Sequence, residues 1–376
     1  RNEMKVALIH YWFYGMRGGE KVVAEILRLF PDADVFTHLY VPDNLDPEIT
    51  RRKVTTTFIN SLPMSRKLYQ AYLPLMPSAL NKLDLEDYDL IISSESGPAK
   101  GVNKRSDACH ICYCHTPMRY IWDQQAIYLE HAGAVKGWYL KRITPYLQRW
   151  DVNSASMVDH FIANSAYVSG RIQRIYGRPS TVIHPPVDID SFQPVENKSD
   201  YFVMAGQLVP YKRPDLAVLA FNQLEIPLKV IGSGDMLKSL KQIAGPNVEF
   251  LGHVNDEQYR TVLASARALI FPGVEDFGIV PVEAQAAGTP VIALGQGGAL
   301  ETVVGLNVSD APQEYKKYTG LFFQQATVPD LIEAIHKFKE YENIFTLKNC
   351  QANARKFSKD QFRTSFMQLV NRILST

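Results

Sequence analysis

Two glutamates, Glu275 and Glu283, carry the strongest chemical signal in this sequence. They stand in the run Phe271-Pro-Gly-Val-Glu-Asp-Phe-Gly-Ile-Val-Pro-Val-Glu283. The pattern reads as a strand ending at Phe271, a glycine-containing loop, and a helix starting near Ile279 with Pro281 in its first turn. Such a loop can aim Glu275 into a ligand site while the free backbone N–H groups of Phe277, Gly278 and Ile279 face an anion. Carboxylates only accept hydrogen bonds, which suits them to vicinal sugar hydroxyls. A lone acid early in a helix is explained by the helix dipole. The strand, glycine and proline punctuation around this pair favours a binding site instead.

A second signal lies in Gly206-Gln-Leu-Val-Pro-Tyr-Lys-Arg-Pro214. Lys212 and Arg213 fall at the entry to a helix, where dipole and cations together attract a diphosphate. Ile231-Gly-Ser-Gly234 marks another strand-end turn. Neither run is a P-loop or a full G-x-G-x-x-G fingerprint, which counts against a dinucleotide site. Near the start, Trp12-Phe-Tyr-Gly-Met-Arg-Gly-Gly-Glu20 opens a helix, and Gly18 and Gly19 allow a close approach of backbone to ligand. Cys109-His-Ile-Cys-Tyr-Cys-His115 has one C-x2-C pair and no second pair to complete a zinc site. It reads as a buried strand with His115 at its carboxyl end, where binding sites form; a structural histidine is the competing reading. The Asp-x-Asp triplets at Asp32–Asp34, Asp87–Asp89 and Asp188–Asp190 read as solvated acids, and no metal site is expected.

These residues need a scaffold, and the chain is long enough to supply two. It has 376 residues, 46% apolar and 21% charged, which is a globular balance. Forty basic and 39 acidic residues leave a net charge of +1, without the basic excess of a nucleic-acid binder. No apolar run reaches the length of a membrane span, and Arg-Asn-Glu-Met reads as no secretory signal. Four cysteines do not make a disulfide framework. The expectation is a cytoplasmic protein.

Short apolar runs alternate with amphipathic stretches throughout, which predicts an α/β fold with parallel sheets covered on both faces. Expected strands are Lys5–His10, Asp89–Ser94, Ala108–Cys114, Phe161–Ala163 and Thr181–His184, then Tyr201–Ala205, Leu228–Ile231, Val248–Leu251, Ala268–Phe271, Val291–Leu294 and Gly320–Phe323. Expected helices include Gly19–Phe30, Pro214–Leu224, Asp256–Ala266 and Pro329–Lys339. The proline-rich segment Ile183–Pro194 reads as a stiff, extended linker between two doubly wound domains facing across a cleft. The domains are set at residues 1–190 and 191–357. Two further stretches, Arg51–Lys82 and Gly137–Trp150, interleave basic and aromatic residues. They read first as packing between helices and second as a membrane or sugar surface.

Taken together, the motifs resemble retaining glycosyltransferase family 4. The resemblance rests on Glu275-x7-Glu283 with Asp276-Phe-Gly278, Gly-x-Leu-x3-Lys212, Gly18-Gly19-x-Lys21, Ile162-Ala-Asn-Ser165, His184-Pro-Pro-Val-Asp188 and Gly298-Ala-Leu-Glu-Thr302. Cys114-His-Thr-Pro-Met-Arg-Tyr-Ile-Trp-Asp123 is similar to the mannosyltransferases of bacterial O-antigen assembly. The resemblance implies a GT-B fold of two Rossmann-like domains, with residues 358–376 packing back on the N-terminal, acceptor-binding domain. It implies that the C-terminal domain binds the nucleotide sugar. Glu283 would take the ribose, Lys212 and Arg213 the diphosphate, and Glu275 with the amides of Phe277, Gly278, Ile279 and Val280 the sugar. Gly18 and Gly19 would approach the phosphates, His115 the reaction centre, and Arg119 and Tyr120 the acceptor. Many relatives carry arginine where Gln207 stands, and Arg213 is the expected substitute. Gly252-His-Val254 would meet the base. The implied reaction needs no metal or cofactor. It moves a sugar, with GDP-mannose the favoured donor, to a lipid-linked oligosaccharide for surface polysaccharide, peripheral to the inner face of the plasma membrane. Alternatives are a transferase using a UDP-sugar, a GT-B nucleotide-sugar epimerase and a non-catalytic sugar-nucleotide-binding partner subunit.

Overall fold

The computed structural model describes residues 3–123 and 133–376. The first two residues of the N-terminal Arg-Asn-Glu-Met lie outside the described residues. The chain forms two compact units, one of Arg1–Pro185 with Phe362–Thr376, the other of Pro186–Gln361.

In the first unit the strands are β1 Val6–His10, β2 Asp34–Thr37, β3 Val54–Thr56, β4 Leu90–Glu95, β5 Cys109–Cys114, β6 His160–Ala163 and β7 Ser180–Val182. Among the described residues they make one parallel sheet in the order β3-β2-β1-β4-β5-β6-β7. β1, β4 and β5 lie at its centre and are buried almost throughout, which is why they read as unbroken apolar runs. The order reverses between β1 and β4, and a ligand site is expected beyond the carboxyl ends of those two strands. The helix Gly18–Leu29 follows β1 and packs Val22, Val23, Ile26 and Leu27 on the sheet. The helix Lys359–Leu374 joins the same core through Phe362, Phe366, Leu369 and Val370.

The second unit has β8 Phe202–Ala205, β9 Leu228–Ile231, β10 Val248–Gly252, β11 Leu269–Phe271, β12 Val291–Leu294, β13 Gly305–Asn307 and β14 Gly320–Phe323. Its sheet is also parallel, ordered β10-β9-β8-β11-β12-β14-β13, so its reversal falls between β8 and β11. The helices Pro214–Leu224 and Val328–Glu340 cover one face, where Phe202, Phe221 and Phe338 meet edge to face. The segment expected as a stiff linker, Ile183–Pro194, contains the boundary between the units and has packed residues on either side of it. Ile183, Val187 and Phe192 are buried, and the Val187 N–H donates to Phe357 O at 2.9 Å.

The basic-aromatic stretches divide. Arg52 donates to Leu27 O at 2.8 Å and Phe30 O at 2.9 Å, capping the carboxyl end of the helix Gly18–Leu29. Arg51 and Arg52 both pair with Glu48. Phe58, Leu62, Tyr72 and Trp150 pack against a core of Ile59, Leu73, Met76 and Leu147. Met64, Leu68, Leu75, Trp138 and Tyr146 remain exposed, beside exposed Arg66, Lys67, Lys141 and Arg142. The Tyr139 hydroxyl donates to Ala71 O at 3.1 Å and so ties the two stretches into one surface.

Candidate functional site

In the second unit the loops after β8 and β11 emerge side by side because those strands are neighbours. This brings together Lys212 and Glu275, whose Nζ and Oε1 lie 2.8 Å apart. Burial works against the Lys212 ammonium, but the Glu275 carboxylate beside it outweighs that, and its pKa is raised above the usual lysine value. The lysine is therefore a fixed cation, held by a carboxylate that a ligand can compete for.

Backbone contact makes this possible. A Cβ on Gly273 would stand 2.6 Å from Lys212 Cα and 2.7 Å from Tyr211 O, so only glycine lets the two loops touch. Gly278 adopts a φ of 87°, a left-handed turn that swings the chain into the helix Ile279–Ala286. The half-buried Ile279 and Val280 open that helix, with Phe277 buried just before it. Their N–H groups begin the helix and carry its positive end.

Glu283, in the second turn, is half-buried and accepts a hydrogen bond from Tyr259 Oη at 3.0 Å. Burial, together with the Glu283 charge, raises the Tyr259 phenol well above its ordinary pKa, so it acts purely as a donor there. Arg213 is already engaged. Its Nε and Nη2 each reach an Asp215 carboxylate oxygen at 3.1 Å, and its backbone sits in the left-handed region at φ 53°.

In the first unit His115 leaves the end of β5, its backbone N–H bonded to Glu95 O at 2.8 Å. Gly18 and Gly19 open their helix next to it, and a Cβ on Gly19 would lie 2.7 Å from Tyr11 Oη and 3.5 Å from His115 Nε2. Burial, with His10 nearby, lowers the His115 imidazole to about 3, so the ring is neutral. His115 Nε2 lies 2.8 Å from Ser94 Oγ, which lies 2.9 Å from His10 Nδ1. Reading the sequence alone missed Ser94 and His10, because both sit inside strand runs. Their places at the carboxyl ends of β4 and β1, where the sheet order reverses, are the signal that marks them.

Arg119 and Tyr120 are half-buried in the four-residue helix Arg119–Trp122, and Tyr120 packs against the Ile59–Met76 cluster. Behind β4 lies a wholly buried ion cluster. Lys100 Nζ bonds Glu95 at 3.1 Å and also Asp151, and Asp151 accepts from Trp122 Nε1 at 2.8 Å and Tyr176 Oη at 2.7 Å. Burial and the nearby Asp151 raise the Glu95 carboxyl to about 7 against the pull of Lys100. Three of the four cysteines are strung along β5, with Cys112 and Cys114 in one core cluster and Cys109 against another, and Cys350 is buried in the helix Leu347–Ala354.

Comparison with known proteins matches the chain half by half. Residues 16–191 match the model of Glycosyltransferase Family 4, and residues 187–357 that of Glycosyl transferases group 1. A D-inositol 3-phosphate glycosyltransferase of Streptomyces scabiei is 32% identical over 37% of this chain and 39% of its own length. A GDP-mannose-dependent monoacylated alpha-(1-6)-phosphatidylinositol monomannoside mannosyltransferase of Corynebacterium glutamicum is 33% identical over 39% of this chain and 47% of its own. The chain thus spans about half, or less, of the length of these relatives. Among solved structures, Anabaena HepE in complex with UDP superposes with a TM-score of 0.67 at 18% identity, covering 98% of this chain and 100% of that one. Sucrose-phosphate synthase of Thermosynechococcus elongatus gives 0.69 at 17% identity, covering 99% and 100%. These likenesses carry the fold, two parallel sheets of the GT-B class. Between them the two models cover residues 16–357, so the chain carries a Glycosyltransferase Family 4 half followed by a Glycosyl transferases group 1 half.

Proposed function

We propose that this chain is a retaining glycosyltransferase that moves mannose from GDP-mannose to a lipid-linked oligosaccharide of a bacterial surface polysaccharide such as O-antigen. The observation that carries the sugar-nucleotide reading is the Lys212–Glu275 pair beside the amino end of the helix Ile279–Ala286, at the switch point of the second sheet. Cleaving a sugar–diphosphate bond builds negative charge on the leaving phosphate. Lys212 and the helix-end amides stabilise that charge directly, without a metal. Glu275 then passes from its lysine to the sugar hydroxyls, and Glu283 holds the ribose. His115 of the first unit serves the donor sugar, Gly18 and Gly19 approach the phosphates, and Arg119 and Tyr120 meet the acceptor. With no nucleophile assigned, retention proceeds by front-face attack, the departing phosphate taking the acceptor proton.

The choice of mannose is supported by the mannosyltransferase names among the relatives, the Corynebacterium glutamicum protein and ALG2 of Eremothecium gossypii, 34% identical over 34% of this chain. The lipid acceptor is supported by the exposed Met64, Leu68, Trp138 and Tyr146 beside Arg66, Lys67 and Lys141, apolar side chains and cations suited to an anionic membrane surface. Among the described residues no helix is long and apolar enough to cross a membrane.

Calorimetry with GDP, UDP and ADP tests the donor, and GDP is expected to bind most tightly. UDP binding at least tenfold tighter, about 1.4 kcal/mol, rules mannose from GDP-mannose out. Turnover is expected to survive exhaustive chelation with EDTA. Its loss, reversed by magnesium or manganese, overturns the metal-free mechanism.

A further inference from the structure

Three side chains form a line behind His115 in the first unit. Glu20, in the first turn of the helix Gly18–Leu29, is 2% exposed, and its Oε1 lies 3.7 Å from Nε2 of the fully buried His10. Neither His10 Nε2 nor Glu20 Oε2 has a hydrogen-bond partner. On its other side His10 Nδ1 meets Ser94 Oγ at 2.9 Å, and Ser94 Oγ meets His115 Nε2 at 2.8 Å. The order is carboxylate, imidazole, hydroxyl, imidazole.

We propose that Glu20, His10 and Ser94 hold His115 as its Nε2–H tautomer, so that its Nδ1 presents a lone pair to a hydroxyl of the donor sugar. The final clause rests on the assignment of His115 to that sugar. Each neutral imidazole carries one proton, and a hydroxyl can donate once while accepting elsewhere. With both rings neutral, the line can therefore run in only two directions. In one, His10 is protonated on Nε2 toward Glu20, Ser94 donates to His10 Nδ1, and Ser94 accepts from His115 Nε2–H. In the other, every proton is shifted and the bare Nε2 of His10 faces the Glu20 carboxylate, lone pair against negative charge in a site without water access.

At 3.7 Å the contact is too long for a hydrogen bond, but at low local dielectric a charge at that distance still orients the ring. Glu20 itself sits where the helix dipole favours its charge. Among the described residues His115 Nδ1 makes no hydrogen bond, which leaves it as the polar edge available to a ligand. Glu20, His10 and Ser94 are thus positioning residues, acting through His115.

The test is 15N NMR of the full-length, histidine-labelled, ligand-free protein at pH 8, which reads the protonated ring nitrogen directly. Wild type is expected to show His115 protonated at Nε2. Ser94→Ala should give mixed tautomers, and Ser94→Thr, which keeps the hydroxyl, should restore the single one. Glu20→Gln preserves shape while removing the charge, and should also weaken the preference. An Nδ1–H His115 in wild type, or an unchanged tautomer in both Ser94→Ala and Glu20→Gln, overturns the proposal. In turnover, Ser94→Ala should lower kcat about tenfold with KM for the donor within twofold, and Ser94→Thr should recover it. An unchanged kcat with mixed tautomers overturns the link to the sugar. If wild type transfers from no nucleotide sugar, the glycosyl-transfer reading fails, while the spectrum still decides the tautomer.

Discussion

A carboxylate that meets a sugar and one that meets a nucleotide fail differently when removed. Glu275→Ala should abolish most turnover while leaving nucleotide affinity nearly unchanged, since Lys212 then stands free for the diphosphate. Glu283→Ala should mainly weaken nucleotide binding. Losing a hydrogen bond to a charged group costs about 1.5–3 kcal/mol, roughly ten- to 150-fold in either quantity. Equal loss of nucleotide affinity in both variants, by calorimetry, removes the division of roles. The buried histidines make a second residue-scale prediction. Burial lowers His38 and His110 to about 4 and His115 to about 3. His38 is held by Thr57 Oγ1 and Pro98 O, both at 2.9 Å, and His110 by Ser93 Oγ at 2.7 Å. Because their folded pKa values lie below the unfolded one near 6.5, their contribution is intact above that pH and is lost as pH falls toward 4. At pH 5 each withdraws about 2 kcal/mol. Urea midpoints should therefore drop between pH 7 and pH 5, and a flat profile contradicts the assignment.

Between elements, the decisive contact is backbone on backbone. Gly273→Ala should force the Lys212 loop away from the Glu275 loop, since the new methyl meets main chain that cannot rotate aside. Donor affinity should fall at least tenfold with a modest loss of Tm, whereas Gly133→Ala, where among the described residues nothing lies within 4 Å of the added methyl, should change neither. Equal behaviour of the two variants argues against the contact.

This is also where reading the sequence reached its limit. Central strands such as Phe202–Ala205 and Val291–Leu294 are buried on both faces, and so announce themselves as apolar runs. Asp34–Thr37, Val54–Thr56 and Gly305–Asn307 escaped, because Asp34–Thr37 starts on an acid while the other two are three-residue edge strands, half-buried and polar. Glu275 and Lys212 are each visible from their loops, but their pairing depends on β8 and β11 being neighbours, which only the strand order reveals. His10 and Ser94 carry no local punctuation, and their meeting likewise follows from the adjacency of β1 and β4.

For the molecule as a whole, the helix Lys359–Leu374 is the part whose removal should matter most. Phe362 and Phe366 stack on each other and Phe362 lies edge-on to Tyr113, inside the core of the first unit. Deleting buried aromatics costs about 3–5 kcal/mol each, comparable with the whole stability of a typical domain. A chain ending at Ser358 should therefore lose amide-exchange protection across β1, β4 and β5 while β8–β12 keep theirs. Retention of protection in the first sheet contradicts this.

The same helix sets an order in time. Synthesis runs from Val6 through Val182 and then through the entire second unit before Phe362 is made. At about 5–20 residues per second, the first sheet waits on the order of ten to forty seconds with a greasy groove open where the helix will lie. During that interval the nascent first unit is a client for any holdase near the ribosome exit. Codon changes that slow translation of residues 186–361 should lengthen its exposure without altering one atom of the finished protein.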